Sequence, residues 1–354
     1  MSTRYLVSRS INQLRCWFSY ALSLFGVVRV RHMPAFVSIE PADFCQLRCP
    51  ECPVGQRASL PDTPDSQKEK RPRHLLSVDA FRTILTQIQS TAHTLQFYFQ
   101  GEPLLNPMLP DMVALAHRAG MYTIVSTNAQ ALTSDMAERL VASGLSRIIV
   151  SIDGFTPESY AAYRVGGHLP LALAGLRYLR EAKRRHRSHI CIELQVLRLS
   201  TNESEWAWIR RHYRTLGASC LTFKTAQLYD YEHGHPLMPT SPRYSRYRLD
   251  KDGLYHLHRP RRRSCYRLWS GCVITADGTV LPCCYDKSSS HPFGNCLTTD
   301  DSALSVLSQN LTSHSLIPSP TPLHTIYHSP AADTFRTTIL QKNSTPTICR
   351  ECYH

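Results

Sequence analysis

From residue 36 to residue 229 the chain alternates short β-rich runs with longer amphipathic ones, and this repetition limits the folds open to it. The runs AFVSIEP, TLQFYFQ, YTIVSTN, RIIVSID, HICIELQVL and CLTFKTAQLY read as six strands. Between them, SVDAFRTILTQIQ opens on a capping Ser77 and then shows helical spacing, and LPDMVALAHRAG stops at Gly120. TSDMAERLVASG, LALAGLRYLREAKRR and NESEWAWIRRHYRTLG follow the same pattern. Strands separated by helical segments of this length predict a parallel sheet, curved or closed, with helices outside. In such folds the chemistry gathers at the C-terminal ends of the strands.

The first strand delivers the chain to DFCQLRCPECP, residues 43–53, which places Cys45, Cys49 and Cys52 within eight positions. A disulfide knot, a zinc site and an iron–sulfur site are the candidate uses. The chain has 13 cysteines, and its first 30 residues lack a tripartite export signal, which favours metal binding over disulfides. Structural zinc sites usually take four ligands in paired knuckles, and no fourth cysteine or histidine lies near in sequence. Three thiolates on a four-iron cluster leave one iron open to a non-protein ligand, as a cluster needs if it is to act on a bound molecule.

With Cys45-x3-Cys49-x2-Cys52 at the end of the first of six such strands, the chain resembles the radical S-adenosylmethionine (SAM) superfamily over about residues 34–235. The resemblance implies a partial (β/α)6 TIM-like barrel and a [4Fe–4S] cluster whose open iron is chelated by SAM. It implies an enzyme that reductively cleaves SAM to methionine and a 5′-deoxyadenosyl radical, which abstracts hydrogen from a substrate. FYFQGEPLL is similar to the family's Gly-Gly-Glu segment: Gly101 and Glu102 match, while Gln100 replaces the first glycine. In the family the glycine lets backbone approach the methionine part of SAM, and the acid receives its ammonium. VSTNAQ and VSIDG are similar to further strand ends, giving Ser126, Asn128, Ser151 and Asp153 as candidates for ribose or carboxylate, and Arg164 as a carboxylate partner. Polar residues at strand ends also serve as caps and turns. The family's aromatic residue before the third cysteine is Glu51 here, which puts the adenine contact in question.

A second cysteine region begins after a basic linker, residues 236–264. Cys265-x12-Gly278-x4-Cys283, then a long gap, then Cys349-x2-Cys352 resembles the SPASM/twitch auxiliary-cluster domain, a small α+β unit expected over residues 265–354. ADGTVLPC reads as a hairpin turning at Asp277-Gly278, and residues 298–325 read as a polar insertion. Four cysteines make one fully ligated auxiliary [4Fe–4S] cluster, the twitch-like version; a zinc ribbon is the alternative. Cys284 competes with Cys283 as ligand, with the x4 spacing favouring Cys283. Cys272 and Cys296 are spare candidates, while Cys16, Cys191 and Cys220 lie in apolar segments and read as packing thiols.

The position after Cys283, where the sulfatase-maturing relatives carry a proton-accepting aspartate, is Cys284, which argues against that activity. Lys224, Gln227, Asp230 and Tyr231 close the sixth strand and are candidates to face a substrate. The substrate itself is not legible: peptide, protein or carbohydrate modification or oxidation fits, and a formal net charge of +13 keeps an RNA- or nucleotide-modifying enzyme open. A non-catalytic iron–sulfur carrier or scaffold is the rival from another class. An external one-electron donor such as flavodoxin or ferredoxin is an implied partner.

Residues 1–33 contain no Asp or Glu but carry Arg4, Arg9, Arg15, Arg29 and Arg31, with Ile11, Leu14, Phe18, Leu22, Phe25 and Val28 at helical spacing. Two readings stay open: a helix packed on the next domain, or one lying on an anionic membrane through residues 1–30. No run approaches the ~20 apolar residues that span a bilayer, and a cytoplasmic protein, with or without peripheral membrane contact, is expected.

Overall fold

The protein is described by a computed structural model covering residues 5–59, 73–258, 265–297, 321–341, 346–350 and 352. Residues 60–72, residues 259–264 of the basic linker and residues 298–320 of the polar insertion lie outside the described residues.

The alternation predicted from the sequence is the observed element order. Helix α1 (Leu6–Leu24) precedes β1 (Phe36–Ile39), α2 (Pro53–Ala58), α3 (Val78–Ile88), β2 (Thr94–Phe97), α4 (Leu109–Arg118) and β3 (Tyr122–Thr127). Then come α5 (Ser134–Ala142), β4 (Arg147–Ser151), α6 (Pro157–Tyr163), α7 (Leu169–Arg185), β5 (Cys191–Arg198), α8 (Trp206–His212) and β6 (Cys220–Thr225). β1 to β6 pair in sequence order, every neighbour parallel. Local chemistry starts the helices: Ser77 Oγ accepts from Ala80 N at 3.1 Å and Thr133 Oγ1 from Met136 N at 3.2 Å. Gly120, at φ +75°, takes the left-handed turn after α4.

The strands bury Val37, Ile39, Leu95, Phe97, Val125, Ile148, Val150, Leu194 and Val196 against the inner faces of the helices, where Phe81, Ile84, Met112, Val113, Leu140, Leu176 and Leu179 are fully enclosed. Each such side chain contributes about 1.5–3 kcal/mol by leaving water.

After β6 come β7 (Tyr247–Leu249) and β8 (Tyr255–Leu257), a separate antiparallel pair, and then α9 (Tyr266–Ser270). β9 (Gly271–Ile274) does not begin a new sheet. It pairs parallel with β1, Phe36 opposite Gly271 and Ile39 opposite Ile274. The hairpin predicted at Asp277-Gly278 follows, β10 (Thr279–Leu281) returning antiparallel along β9 with Gly278 at φ +89°. β11 (Gly294–Asn295) ends the sheet, whose order is β11-β10-β9-β1-β2-β3-β4-β5-β6. α10 (Leu323–Tyr327), α11 (Pro330–Leu340) and α12 (Thr347–Arg350) complete the described chain.

Helix α1 forms where the periodicity places it and packs on the body, but through the opposite face. Arg9, Asn12, Cys16, Ser19 and Ser23 are buried, while Ile11, Leu14, Phe18 and Phe25 are exposed.

Candidate active site

The loop after β1 carries the three cysteines, and α2 starts immediately after Cys52. Gly55 lets α2 sit on that loop, since a Cβ there would lie 2.6 Å from the Cys49 carbonyl oxygen. Gly101 does the same from the β2 end, where a Cβ would lie 1.9 Å from Ala42 O, so only glycine fits. The close approach at Gly101 is thus to the cysteine loop's own backbone.

Cys45, Cys49 and Cys52 line one cleft of about 430 Å³ at the C-terminal ends of the strands, together with Gly101, Glu102, Ser126, Asn128, Ser151 and Arg164. The seven predicted SAM-binding residues are Gly101, Glu102, Ser126, Asn128, Ser151, Asp153 and Arg164; all but Asp153 line the cleft. Asp153 lies fully buried directly behind Arg164, 2.6 Å from its NH2.

Glu102 is buried at the junction of two strand ends. Its Oε1 accepts from Thr127 Oγ1 at 2.6 Å and Leu104 N at 3.1 Å, and its Oε2 from Asn128 N at 2.9 Å. Burial raises its pKa, and these donors pull it back. The turn they hold includes Ala129 at φ +61°, an uncommon conformation for a residue with a side chain, secured by Ala129 N donating to Thr127 Oγ1 at 2.9 Å. Arg164 is held charged: burial works against it, but Asp153 and then Cys49 outweigh that cost.

The thiols are surrounded by donors. Leu47 N and Asn128 Nδ2 each stand 3.4 Å from Cys45 Sγ, and Arg164 NH1 stands 3.8 Å from Cys49 Sγ. Burial, followed by the Glu102 charge, pushes the Cys45 thiol up to about 12, and burial raises Cys49 as well. As free thiols Cys45 and Cys49 stay protonated at neutral pH, and N–H groups aimed at sulfur suit metal-bound thiolates. Among the described residues no three Cys, His, Asp or Glu side chains converge on a single ion, whereas a four-iron cluster takes each thiolate on a separate iron. The residues present fit such a cluster, which Cys45, Cys49 and Cys52 would hold.

Glu51 is a residue whose role the sequence did not reveal. Its carboxylate accepts from Tyr229 N at 2.6 Å and pairs with His235 Nε2 at 3.3 Å, tying the segment after β6 to the cysteine loop. Gln195 and Thr127 were also missed; both line the cleft from strands whose inward-facing positions carry the only available signal.

A second cavity of about 550 Å³ adjoins the cleft, lined by Tyr98, Phe223, Lys224, Gln227, Arg246, Arg267, Cys283, Cys284, Tyr285 and Lys287, among others. Tyr98, Phe99, Lys224, Cys284 and Lys287 line both spaces. Of the predicted substrate-facing residues, Lys224 and Gln227 reach this cavity. Asp230 and Tyr231 do not line it; Tyr231 stacks on Tyr247 with ring centroids 4.1 Å apart.

In the C-terminal region Cys265 opens α9, Cys283 follows β10, Cys349 lies on α12, and Cys352 N donates to Cys349 O at 3.4 Å. Burial raises the Cys283 thiol, with Cys284, Cys349 and Cys265 close enough to add to it. Cys284 is set apart from this group by its outlook: it lines both cavities and accepts from Arg267 NH1 at 3.5 Å. Tyr285 N donates to Cys283 Sγ at 3.4 Å. The set fits a second thiolate-held cluster on Cys265, Cys283, Cys349 and Cys352. Cys16, Cys272 and Cys296 are buried in the core, and Cys191 and Cys220 are half-buried neighbours with sulfurs 3.5 Å apart.

Parts of the chain are similar to known proteins. The AdoMet-dependent heme synthase of Methanosarcina barkeri is 26% identical over 157 residues, covering 44% of this chain and 42% of that protein. A PqqA peptide cyclase of Ruegeria pomeroyi is 29% identical over 204 residues, covering 52% of each. The chain therefore spans about half or less of the length of these curated relatives. The solved structure of native anSMEcpe with bound AdoMet shares the fold, with a TM-score of 0.56 at 14% identity over 87% of this chain and 84% of that one. Residues 39–198 match the model of the radical SAM superfamily, and residues 265–314 match that of an iron–sulfur cluster-binding domain, SPASM. The chain therefore carries a radical SAM superfamily domain over residues 39–198, followed by a C-terminal SPASM iron–sulfur cluster-binding domain.

Proposed function

We propose that this chain is a radical SAM enzyme acting on an anionic substrate held between its two cysteine sites. The observation that carries the reading is the single cleft in which Cys45, Cys49 and Cys52 meet Glu102, Asn128, Ser126, Ser151 and Arg164. A cluster there, loaded with SAM and given one electron, supplies a 5′-deoxyadenosyl radical able to abstract hydrogen. The protein's part is to hold and enclose. Glu102 presents a carboxylate whose second oxygen has one protein donor, which leaves capacity for the SAM ammonium. Ser126 and Ser151 offer hydroxyls toward ribose and carboxylate. An external one-electron donor such as flavodoxin or ferredoxin is part of the reading.

The adjoining cavity supports the substrate class. Lys224, Arg246, Arg267 and Lys287 line it together with Tyr98, Phe99, Phe223 and Tyr285, and among the described residues no Asp or Glu does. A cleft lined by one sign of charge concentrates counter-ions, and the rings suit an apolar or planar body. Carboxylate- or phosphate-bearing small molecules fit this chemistry. An RNA- or nucleotide-derived substrate shares the anionic part and is the second reading.

Anaerobic reconstitution with iron and sulfide tests the proposal. The wild-type protein is expected to bind about eight irons, four per cluster, and to release 5′-deoxyadenosine with SAM and reductant. The Cys45→Ala/Cys49→Ala/Cys52→Ala variant is expected to lose about half the iron and all the release. Anionic candidates are expected to raise the rate of release, and Lys224→Ala to lose that stimulation with its iron intact. A non-catalytic carrier would bind the iron and release no 5′-deoxyadenosine.

A further inference from the structure

We propose that α1 is a surface-docking helix that seats the protein on an anionic lipid bilayer. An amphipathic helix of a globular protein normally turns its apolar stripe inward. α1 does the reverse. At about 100° per residue, Arg9, Asn12, Cys16, Ser19 and Ser23 share one face, and that face is buried. Val7, Ile11, Leu14, Phe18 and Phe25 share the opposite face, and their exposures run from 45% at Ile11 to 83% at Phe25. Leu6, Trp17 and Leu24 widen the stripe along one side, each about half exposed.

Specific bonds hold the helix in this orientation. Arg9 reaches the ends of α3 and α4, with NH1 donating to Gly120 O at 2.7 Å, NH2 to Ala119 O at 2.8 Å and Nε to Gln89 O at 3.0 Å. Those carbonyls are the orphan acceptors of helix C-termini, where a cation is favoured. Asn12 Nδ2 donates to Met33 O at 2.8 Å, and its Oδ1 accepts from Met33 N at 3.0 Å. Rolling α1 by half a turn to bury its apolar stripe would leave these buried groups unpaired, at the cost of several hydrogen bonds. A second anchor lies beside the stripe: Trp17 stacks on Tyr266, next to Cys265, with ring centroids 4.1 Å apart.

Charge selects the occupant. Residues 1–33 contain no Asp or Glu, and Arg15, Arg29 and Arg31 are exposed on and beside the helix. A second copy packed stripe to stripe would bring those cations together without a counter-charge. A bilayer with anionic headgroups receives the apolar side chains and neutralises the arginines at once. The helix lies flat on this reading: no described helix is long and apolar enough to cross a membrane, and the other face of α1 is fixed to the body.

Flotation of the reconstituted full chain with vesicles tests this, using phosphatidylcholine alone and phosphatidylcholine mixed with phosphatidylserine. Binding is expected to the mixed vesicles and to weaken as salt rises. Leu14→Glu and Phe18→Glu are each expected to reduce it more than about tenfold, since each removes a large apolar side chain from the contact. Both positions are exposed, so iron content and circular dichroism are expected to stay as in the wild type. Sedimentation equilibrium in the absence of lipid runs alongside. No binding to mixed vesicles, or binding that both substitutions leave unchanged, overturns the proposal. A dimer that both substitutions abolish also overturns it, assigning the stripe to a second copy.

Discussion

Asp153 and Arg164 sit eleven positions apart in sequence and 2.6 Å apart in space, and their pairing sets the character of the cleft wall. The Arg164 side chain is 14% exposed and that of Asp153 is 1% exposed. Leu197 N also donates to Asp153 Oδ1 at 2.6 Å. Breaking one partner of such a pair leaves an uncompensated buried charge. Asp153→Asn is therefore expected to destabilise the protein by about 3–5 kcal/mol in chemical denaturation. Arg164→Met in the same background is expected to recover part of that loss, and no recovery would show that the pair is not the cause. The sequence marked Asp153, Arg164, Glu102 and Asn128 individually, because strand ends in an alternating fold are where polar side chains converge. It did not say that Glu102 is shared by Thr127 and Asn128, or that Arg164 is answered by Asp153. Those pairings depend on the relative height of neighbouring strands, which no local pattern records. Glu51 was legible only as a departure from the expected aromatic residue, since its partners, Tyr229 and His235, come from a segment some 180 positions away.

At the scale of elements, the strands and helices were read well because their signals are local. Apolar runs, capping Ser77 and Thr133, and the glycine after α4 each act within a few residues. The face of α1 was not readable in this way, since period alone does not tell which side finds a partner. The seat of that helix has a pH dependence of its own. His32 is buried beside it, Nδ1 3.4 Å from Cys16 Sγ and 3.2 Å from Met33 O. Burial lowers its pKa from 6.5 to about 4. The unfolded chain takes up a proton near the ordinary value, and the folded chain does so only near 4. Stability linked to His32 is thus intact above pH 6.5 and is lost as pH falls from there toward 4, by about 3 kcal/mol in all. Denaturant unfolding at pH 7 and pH 5 is expected to show most of this loss, and His32→Gln is expected to flatten it. An equal pH slope in the variant would assign the effect to other groups.

The whole molecule departs from a simple succession of six strands in one respect. Phe36 pairs with Gly271, 235 positions further along the chain, so β1 lies inside the sheet, between β2 and β9. A four-residue run such as GCVI carries no indication of where it will pair, and a parallel contact of that span leaves no trace in periodicity. The same contact joins the C-terminal cysteine region to the core sheet and closes the wall of the larger cavity. A chain ending at residue 258 would keep every element of the alternating part but leave β1 as an unpaired apolar edge, a recognised route to aggregation. It is expected to elute as large species in size-exclusion chromatography, while residues 1–354 elute as a discrete peak. A well-behaved truncated protein would mean that β1 needs no second neighbour.

The same pairing sets an order of events during synthesis. β1 precedes every other described strand, yet its second neighbour is not made until residues 271–274 have been translated. For most of its birth the protein holds an incomplete sheet beside its cysteine loop. Closing it demands one contact of very long span, the slow kind of step in folding. Iron delivered before that contact forms would meet Cys45, Cys49 and Cys52 beside an unfinished wall; iron delivered after it would meet them on a completed one.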